Sequence, residues 1–267
     1  MTNPFAGDVI VVVAHPDDEV LWLGAVLPLA RKIVMVLPGH AVNTDLAAAR
    51  ARSIARYPLN NLETLPLQTA GVHQQSDLLR RRPIEYGVSL MESCPKDCAE
   101  RYRENFRSMC RMLETYMHKG VTVFAHNPWG EYGHEEHVQV NHAVMRLARR
   151  HGCSVWAWEG FSAAWQVERG IRLRADHYPE DATSMLPSVE LNVDLDMYTR
   201  IRDLYQEQGA WTWADDYVPP NPSRYIQLVR AGQGLIDAVP GSSPRGAGIL
   251  TRWLRSGRTR ASAVSPR

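Results

Sequence analysis

At 267 residues the chain is long enough to bury a core without disulfide or metal staples, which excludes a mini-protein. Apolar residues make up 45% and charged residues 22%, ordinary globular usage that excludes a wholly disordered, collagenous or coiled-coil chain. Thirty Lys and Arg against 29 Asp and Glu leave a net charge of +1, too little to draw the protein to nucleic acid or an anionic membrane.

Residues 8–14 (DVIVVVA) form a β-branched run that reads as a buried parallel strand opening into a polar loop. The mostly apolar segment 20–31 predicts a helix, and residues 33–37 a second buried strand closed by Pro38-Gly39, giving a βαβ unit. An Ala- and Arg-rich helix is expected over 45–57, ending at Pro58. Residues 58–97, rich in Pro, Asn, Gln, Ser and Arg, read as a long loop region. Asp97 and Glu100 suggest a capping box for a helix running to about His118, followed by a strand at 121–125. A helix over 135–150 with one apolar face, a strand at 154–158, a helix at 194–208 and a strand at 225–229 complete the frame. This alternation predicts an α/β fold: a Rossmann-like three-layer sandwich with a mostly parallel sheet. The domain is expected to span 1–239. Residues 240–267, with six arginines and no acid, read as a basic, disordered tail.

The longest apolar runs fall far short of the roughly 20 residues a membrane span needs. The N-terminus lacks the basic start and small-residue cleavage pattern of a secretory signal, so a cytoplasmic location is expected. Cys94, Cys98, Cys110 and Cys153 are too few for a disulfide scaffold; a Cys94–Cys98 cystine or free thiols are better readings than a zinc knuckle.

Two polar clusters carry the chemistry. Ala14-His15-Pro16-Asp17-Asp18-Glu19 follows the first strand, where ligands bind in an open parallel sheet. Gly130-Glu131-Tyr132-Gly133-His134-Glu135-Glu136-His137 follows the strand at 121–125 and opens the next helix, placing His134 and His137 on roughly one side. Two imidazoles and a carboxylate from separate loops match a catalytic zinc site with open coordination positions. A spare carboxylate beside it can take a proton from water. Trp211, Trp213 and Tyr217, with Trp156, Trp158 and Trp165, are either core residues or a substrate-stacking group.

The AHPDDE motif at 14–19 and GEYGHEEH at 130–137 together resemble the LmbE-like, or PIG-L-like, zinc-dependent N-acetylglucosamine deacetylases. The second motif departs from the family's GxYGHPDH by Glu135 in place of Pro and Glu136 in place of Asp. The resemblance implies that His15, Asp18 and His137 bind zinc, or iron in the cell, and that Asp17 is the general base. It implies that His134 is a general acid or oxyanion stabiliser, that Tyr132 helps hold the oxyanion, and that Glu136 orients His134. Glu19 would be structural or support the site.

The family's Arg and Glu on the helix after the second strand become LAAARARSIARY here, with no Glu; Arg50 and Arg52 read better as a solvated face than as contacts to a substrate hydroxyl or phosphate. The implied substrate is a small amino sugar bearing an N-acetyl or N-acyl group, such as a glycosylated intermediate of antibiotic biosynthesis. An amidase acting on a non-sugar or thiol-conjugate amide and a non-catalytic zinc-dependent sugar-binding module are the alternatives. Asp17 beside Asp18 argues against the mere binder. A dinucleotide site lacks its glycine fingerprint, since HPDDE follows the first strand.

Overall fold

Strand β1 (Val9–Val13) is buried along its whole length, as its unbroken β-branched sequence requires of a parallel strand covered on both faces. The computed structural model describes Phe5 and residues 7–230, so the tail expected at 240–267 lies outside the described residues. After β1 come α1 (Asp18–Leu23), β2 (Lys32–Met35), α2 (Thr44–Ala55) and β3 (Leu62–Thr64). A short antiparallel hairpin, β4 (Pro83–Ile84) with β5 (Gly87–Val88), precedes α3 (Lys96–Leu113), β6 (Thr122–Ala125), α4 (Glu135–His151) and β7 (Ser154–Trp158). Three short helices follow, α5 (Ala163–Glu168), α6 (Leu173–His177) and α7 (Glu180–Ser184). They lead to β8 (Ser188–Leu191), α8 (Leu195–Gln208) and β9 (Ser223–Val229).

The seven-stranded sheet has the order β3-β2-β1-β6-β7-β9-β8. Strands β3, β2, β1, β6 and β7 run parallel, and β9 is antiparallel to both β7 and β8. On one face Phe106 and Met109 of α3 and Val140 and Val144 of α4 pack against Val12 and Val123. On the other, Leu21 and Leu23 of α1 and Tyr198, Ile201 and Tyr205 of α8 pack against Val11 and Val13. This is the three-layer, mostly parallel α/β architecture the sequence predicts. From β1 the chain first builds outward to β2 and β3, then returns to place β6 on the other side of β1. The carboxyl ends of β1 and β6 therefore flank a topological switch point, where such sheets form their binding crevice.

Several local expectations are corrected. The helix expected over 20–31 starts at Asp18 and stops at Leu23, and only a 3-10 turn over Leu27–Leu29 follows. Pro28 lies within that turn, where its missing N–H cannot continue an α-helix. Asp97 makes no capping box: Pro95 is the N-cap of α3 and no side chain caps it, while Asp97 lies in the first turn. The segment 58–97 holds β3 and the β4–β5 hairpin, elements too short to show periodicity. The helices α5 to α7 and edge strand β8 carried no distinct signal for the same reason. All four cysteines are free thiols, so Cys94 and Cys98 form no cystine. No helix among the described residues is long and apolar enough to cross a membrane.

His142 of α4 is buried. Burial lowers its pKa from 6.5 to about 3, against the nearby Glu85 and Ile84 backbone groups. Below pH 6.5 the unfolded chain binds a proton that the folded chain refuses. Stability attributable to this residue therefore falls as pH falls, by about 1.4 kcal/mol per unit. The variant His142→Gln should flatten the acid limb of denaturant unfolding between pH 7 and 5. An unchanged slope would mean that the imidazole charges without leaving its site.

Candidate metal centre

The turn after β1 is strained where it carries the first cluster. Asp17, the N-cap of α1, has φ 92° and ψ −24°, a left-handed conformation that costs a non-glycine residue about 1–3 kcal/mol. Of the three non-glycine residues with positive φ among those described, Asp17 and Glu131 belong to the two motifs. Asp18 is fixed from both sides: the His15 amide donates to Oδ2 at 2.7 Å and Trp22 Nε1 donates to Oδ1 at 3.0 Å. His15 Nδ1 lies 3.2 Å from Asp18 Oδ2, and His137 Nε2 lies 3.2 Å from Asp18 Oδ1. The structure thus gathers His15 and His137 around the Asp18 carboxylate, all three buried. Burial opposes the ionised form of Asp18, but His137 and His126 outweigh it and hold this carboxyl well below its ordinary range.

The second cluster folds as a glycine-hinged turn ahead of α4. Gly130 has φ 69°, and a Cβ there would stand 2.5 Å from the His134 carbonyl oxygen, so the turn needs glycine. Next to it Glu131, at φ 52°, is fully buried. Its Oε2 accepts hydrogen bonds from His137 Nδ1 at 2.8 Å and His126 Nδ1 at 2.9 Å, while Oε1 accepts the Asn127 amide at 3.0 Å. This fixes the proton of His137 on Nδ1 and leaves Nε2 with a lone pair. That Nε2 is buried without a hydrogen-bond partner, a costly state in the absence of a ligand. A carboxylate–histidine pair with the far nitrogen free is the arrangement that prepares an imidazole for a metal. On this observation the donor set fits a metal ion.

Two groups of potential ligand atoms share His137: His15, His134 and His137 within 4.8 Å of one another, and Asp18, His126 and His137 within the same limit. His126 does not qualify as a ligand. The Ala14 amide donates to its Nε2 at 2.8 Å, which uses the lone pair a metal would need. Burial opposes a charged His126, but Glu131 and Asp18 push its pKa up to about 9. The Ala14 bond nevertheless requires a neutral ring, and we assign that tautomer on the geometry of the bond.

The other predicted residues are placed as follows. Asp17 is buried, and its Oδ2 accepts both the amide and the hydroxyl of Thr212 at 2.8 Å. Burial and the charge of Asp18 raise its pKa to about 7, against Arg50 and Thr212. His134 is the N-cap of α4: its Nδ1 accepts the Glu136 amide at 3.2 Å, which puts the ring proton on Nε2. Burial together with His137, His15 and His73 holds its pKa well below 6.5, so the ring is neutral. The ring of Tyr132 stands edge-on to His137 at 5.5 Å and to His134 at 5.8 Å.

Glu136 does not orient His134 through its side chain. Its Oε2 bonds His15 Nε2 at 2.8 Å and its Oε1 accepts the Ala70 amide at 2.5 Å. The residue therefore orients His15, leaving Nδ1 to face Asp18, and ties down the segment around Ala70. Glu135 likewise accepts from the amide and hydroxyl of Ser76, with Arg81 Nη2 at 3.7 Å. The two glutamates that depart from the family motif both anchor the 70–81 segment. That segment also stacks His73 on His134 at 4.7 Å. A stretch read as loop is thus a wall of the site.

Glu19 is structural support: Oε1 accepts the hydroxyls of Tyr57 at 3.0 Å and Tyr205 at 2.9 Å, and Oε2 the Asp17 amide at 3.2 Å. Arg50 is not on a solvated face. It is 4% exposed with Nε and Nη1 unpartnered, and its charge acts on both Asp17 and Glu136. Arg52 is exposed and donates to the Gln208 carbonyl at 3.0 Å. Sequence reasoning missed Glu131, His126 and Thr212. Glu131 stood in plain view, six residues before His137 within the second motif.

Of the tryptophans, Trp158 is buried and stacks on Trp22 at 5.2 Å, and Trp156 packs beside Phe5 and Phe124. Trp165 and Trp213 instead lie half-buried on the side of the site where Tyr132 stands. No family model matches the chain, and no curated protein matches it. Among solved structures it is similar to the antimicrobial reagent A40926 pseudoaglycone deacetylase Dbv21. The identity is 15%, with 85% of this chain and 99% of that chain covered and a TM-score of 0.41.

Proposed function

We propose that the protein is a metal-dependent N-deacylase, acting in the cytoplasm on the acetamide of an N-acetylglucosaminyl-type small molecule such as an antibiotic precursor. Zinc, or iron in the cell, would be held by His15, Asp18 and His137. The observation that carries the reading is the buried, unpartnered His137 Nε2, pointed at Asp18 and backed by Glu131. When bound, a zinc ion supplies a Lewis acid and lowers the pKa of water towards about 7.

The chain's own groups divide the remaining work. Thr212 occupies Asp17 Oδ2, so Oδ1 is the oxygen left for a reacting water. Asp17 takes the proton of that water as it attacks the amide carbon, and returns it to the nitrogen as the C–N bond breaks; amine and carboxylate are the products. His134, neutral with its proton on Nε2, donates a hydrogen bond to the developing oxyanion, and the Tyr132 side chain flanks the same space. A neutral donor suits oxyanion stabilisation better than general acid catalysis at neutral pH.

The test measures metal content and acetate release from a panel of N-acetylglucosaminyl compounds, with and without chelator. Acetate release that requires metal supports the reading. Bound metal with no acetate from any acetylated sugar would move the assignment to another amide, and no stoichiometric metal would remove its basis. Within this reading Thr212 positions the base. Hydrogen bonds to a carboxylate are each worth about 1.5–3 kcal/mol, so losing the hydroxyl in Thr212→Val should lower kcat by about 10- to 100-fold. KM should stay unchanged and Thr212→Ser should restore the rate. A matching rise in KM would assign Thr212 to substrate binding instead.

A further inference from the structure

We propose that Arg81 is a positioning residue for His134, holding that imidazole in the site through the two residues that flank it in the chain. The inference rests on the amide-hydrolase reading, in which His134 donates to the oxyanion, and adds a residue that lies outside both motifs. Arg81 is 3% exposed, and a guanidinium is rarely so buried unless it is paired. Its Nη1 donates to the carbonyl of Gly133, and its Nη2 lies 3.7 Å from Oε1 of the buried Glu135. One side chain thus grips the backbone immediately before His134 and the carboxylate immediately after it. Glycine at 133 makes room for the grip. Its φ is 94°, and a Cβ there would stand 3.2 Å from Arg81 Nη1 and 2.9 Å from Ile171 Cγ2.

Arg81 is itself held in place. Its amide donates to the Asp77 carbonyl at 2.7 Å, closing a turn that the Arg172 amide ties down at the Leu78 carbonyl, 3.2 Å away. Just before this turn, Ser76 donates to Glu135 through both its amide and its hydroxyl, and His73 stacks on His134 at 4.7 Å and 19°. One segment therefore fixes His134 by the carbonyl ahead of it, the carboxylate behind it and the face of its ring. The bond from the Glu136 amide to Nδ1 sets the tautomer, and the Arg81 clamp sets where the turn that carries the ring stands. Position matters because an oxyanion donor works only where the charge develops, and a displacement of about 1 Å costs about 10²-fold in rate.

The test separates positioning from a buried ion pair that only balances charge. It compares the full zinc-loaded chain as parent, Arg81→Met, Glu135→Pro and the double variant. Proline is accommodated at 135 because this is the first residue of α4 and His134 before it is already extended, at φ −70° and ψ 128°. Each single variant leaves one buried charge unpaired and loses stability. The double variant leaves neither, and it decides if a single variant fails to fold. Its kcat for amine release, on the N-acetylglucosaminyl compound that the parent cleaves fastest, should fall by about 10- to 100-fold with KM and zinc content unchanged. The three variants should lose rate alike rather than additively, since all break one clamp. The ring nitrogen-15 shifts of His134, which in the parent should report a proton on Nε2, should move toward the average of the two tautomers. Parent-like kcat and His134 shifts in the folded double variant would overturn the proposal, as would a change carried by KM or zinc content alone. If the parent releases no amine from any acetylated sugar, the hydrolase reading fails, and the His134 shifts alone decide whether Arg81 positions that ring.

Discussion

Replacing Asp17 with Asn should leave metal content unchanged and slow amide hydrolysis by about 10²- to 10⁴-fold, the usual contribution of a positioned general base. Asn is nearly isosteric, and its carbonyl can still accept from Thr212, which holds Oδ2 in the parent. What it loses is the capacity to take a proton. The same variant should be more stable than the parent in the metal-free protein near neutral pH. Burial and the neighbouring Asp18 raise the Asp17 carboxyl from 3.8 to about 7, so the folded state disfavours the carboxylate. Stability associated with this group is present at low pH and is lost as pH rises between those values. A gain in midpoint on removing the charge, together with lost turnover, would mark a site that gives up stability for function. Loss of metal in Asp17→Asn would overturn the division of roles between Asp17 and Asp18.

The frame of the fold was legible because its central strands are unbroken β-branched runs that only a doubly covered parallel sheet accommodates. The strand expected at 154–158 is the strand observed, and the α4 helix differs from its expected bounds by one residue. The two motifs fall at the carboxyl ends of β1 and β6, and that placement follows from strand order alone. What the sequence concealed depends on contacts between distant segments. Thr212 meets Asp17 across 195 positions, and Ala70 meets Glu136 across 66; no local pattern announces either. Arg50 was misplaced because an Ala- and Arg-rich helix reads as solvated, whereas its fourth-position neighbours Leu46 and Ile54 are only half-buried while Arg50 itself points inward. The role of Glu136 was assigned to the nearer histidine in sequence. Three-dimensional reach put it on His15 instead.

Glu131 is the residue whose substitution should most affect the metal centre while leaving every proposed ligand in place, because it hydrogen-bonds His137. Its carboxylate is held down to about 2: burial opposes ionisation, but His126 and His137, which both hydrogen-bond it, outweigh that cost. The Glu131→Gln variant keeps the shape but cannot satisfy every neighbour. One oxygen now accepts from both His126 and His137, and the other accepts the Asn127 amide. A carboxamide facing the two imidazoles with its oxygen must turn its NH2 toward the Asn127 N–H, donor against donor. The opposite flip sets that NH2 against both ring N–H groups. Either arrangement loosens the tautomer that leaves His137 Nε2 free. The metal dissociation constant should therefore rise by about 10- to 100-fold in Glu131→Gln, read by competition with a chromogenic chelator. His126→Gln shares the same carboxylate but removes no proposed ligand, so it should retain metal far better than His137→Ala, which should lose it. Equal metal loss in His126→Gln and His137→Ala would place the ion on the Asp18, His126 and His137 group instead. Unaltered affinity in Glu131→Gln, with lowered stability alone, would make this carboxylate a packing element and leave the orientation of His137 to the protein around it.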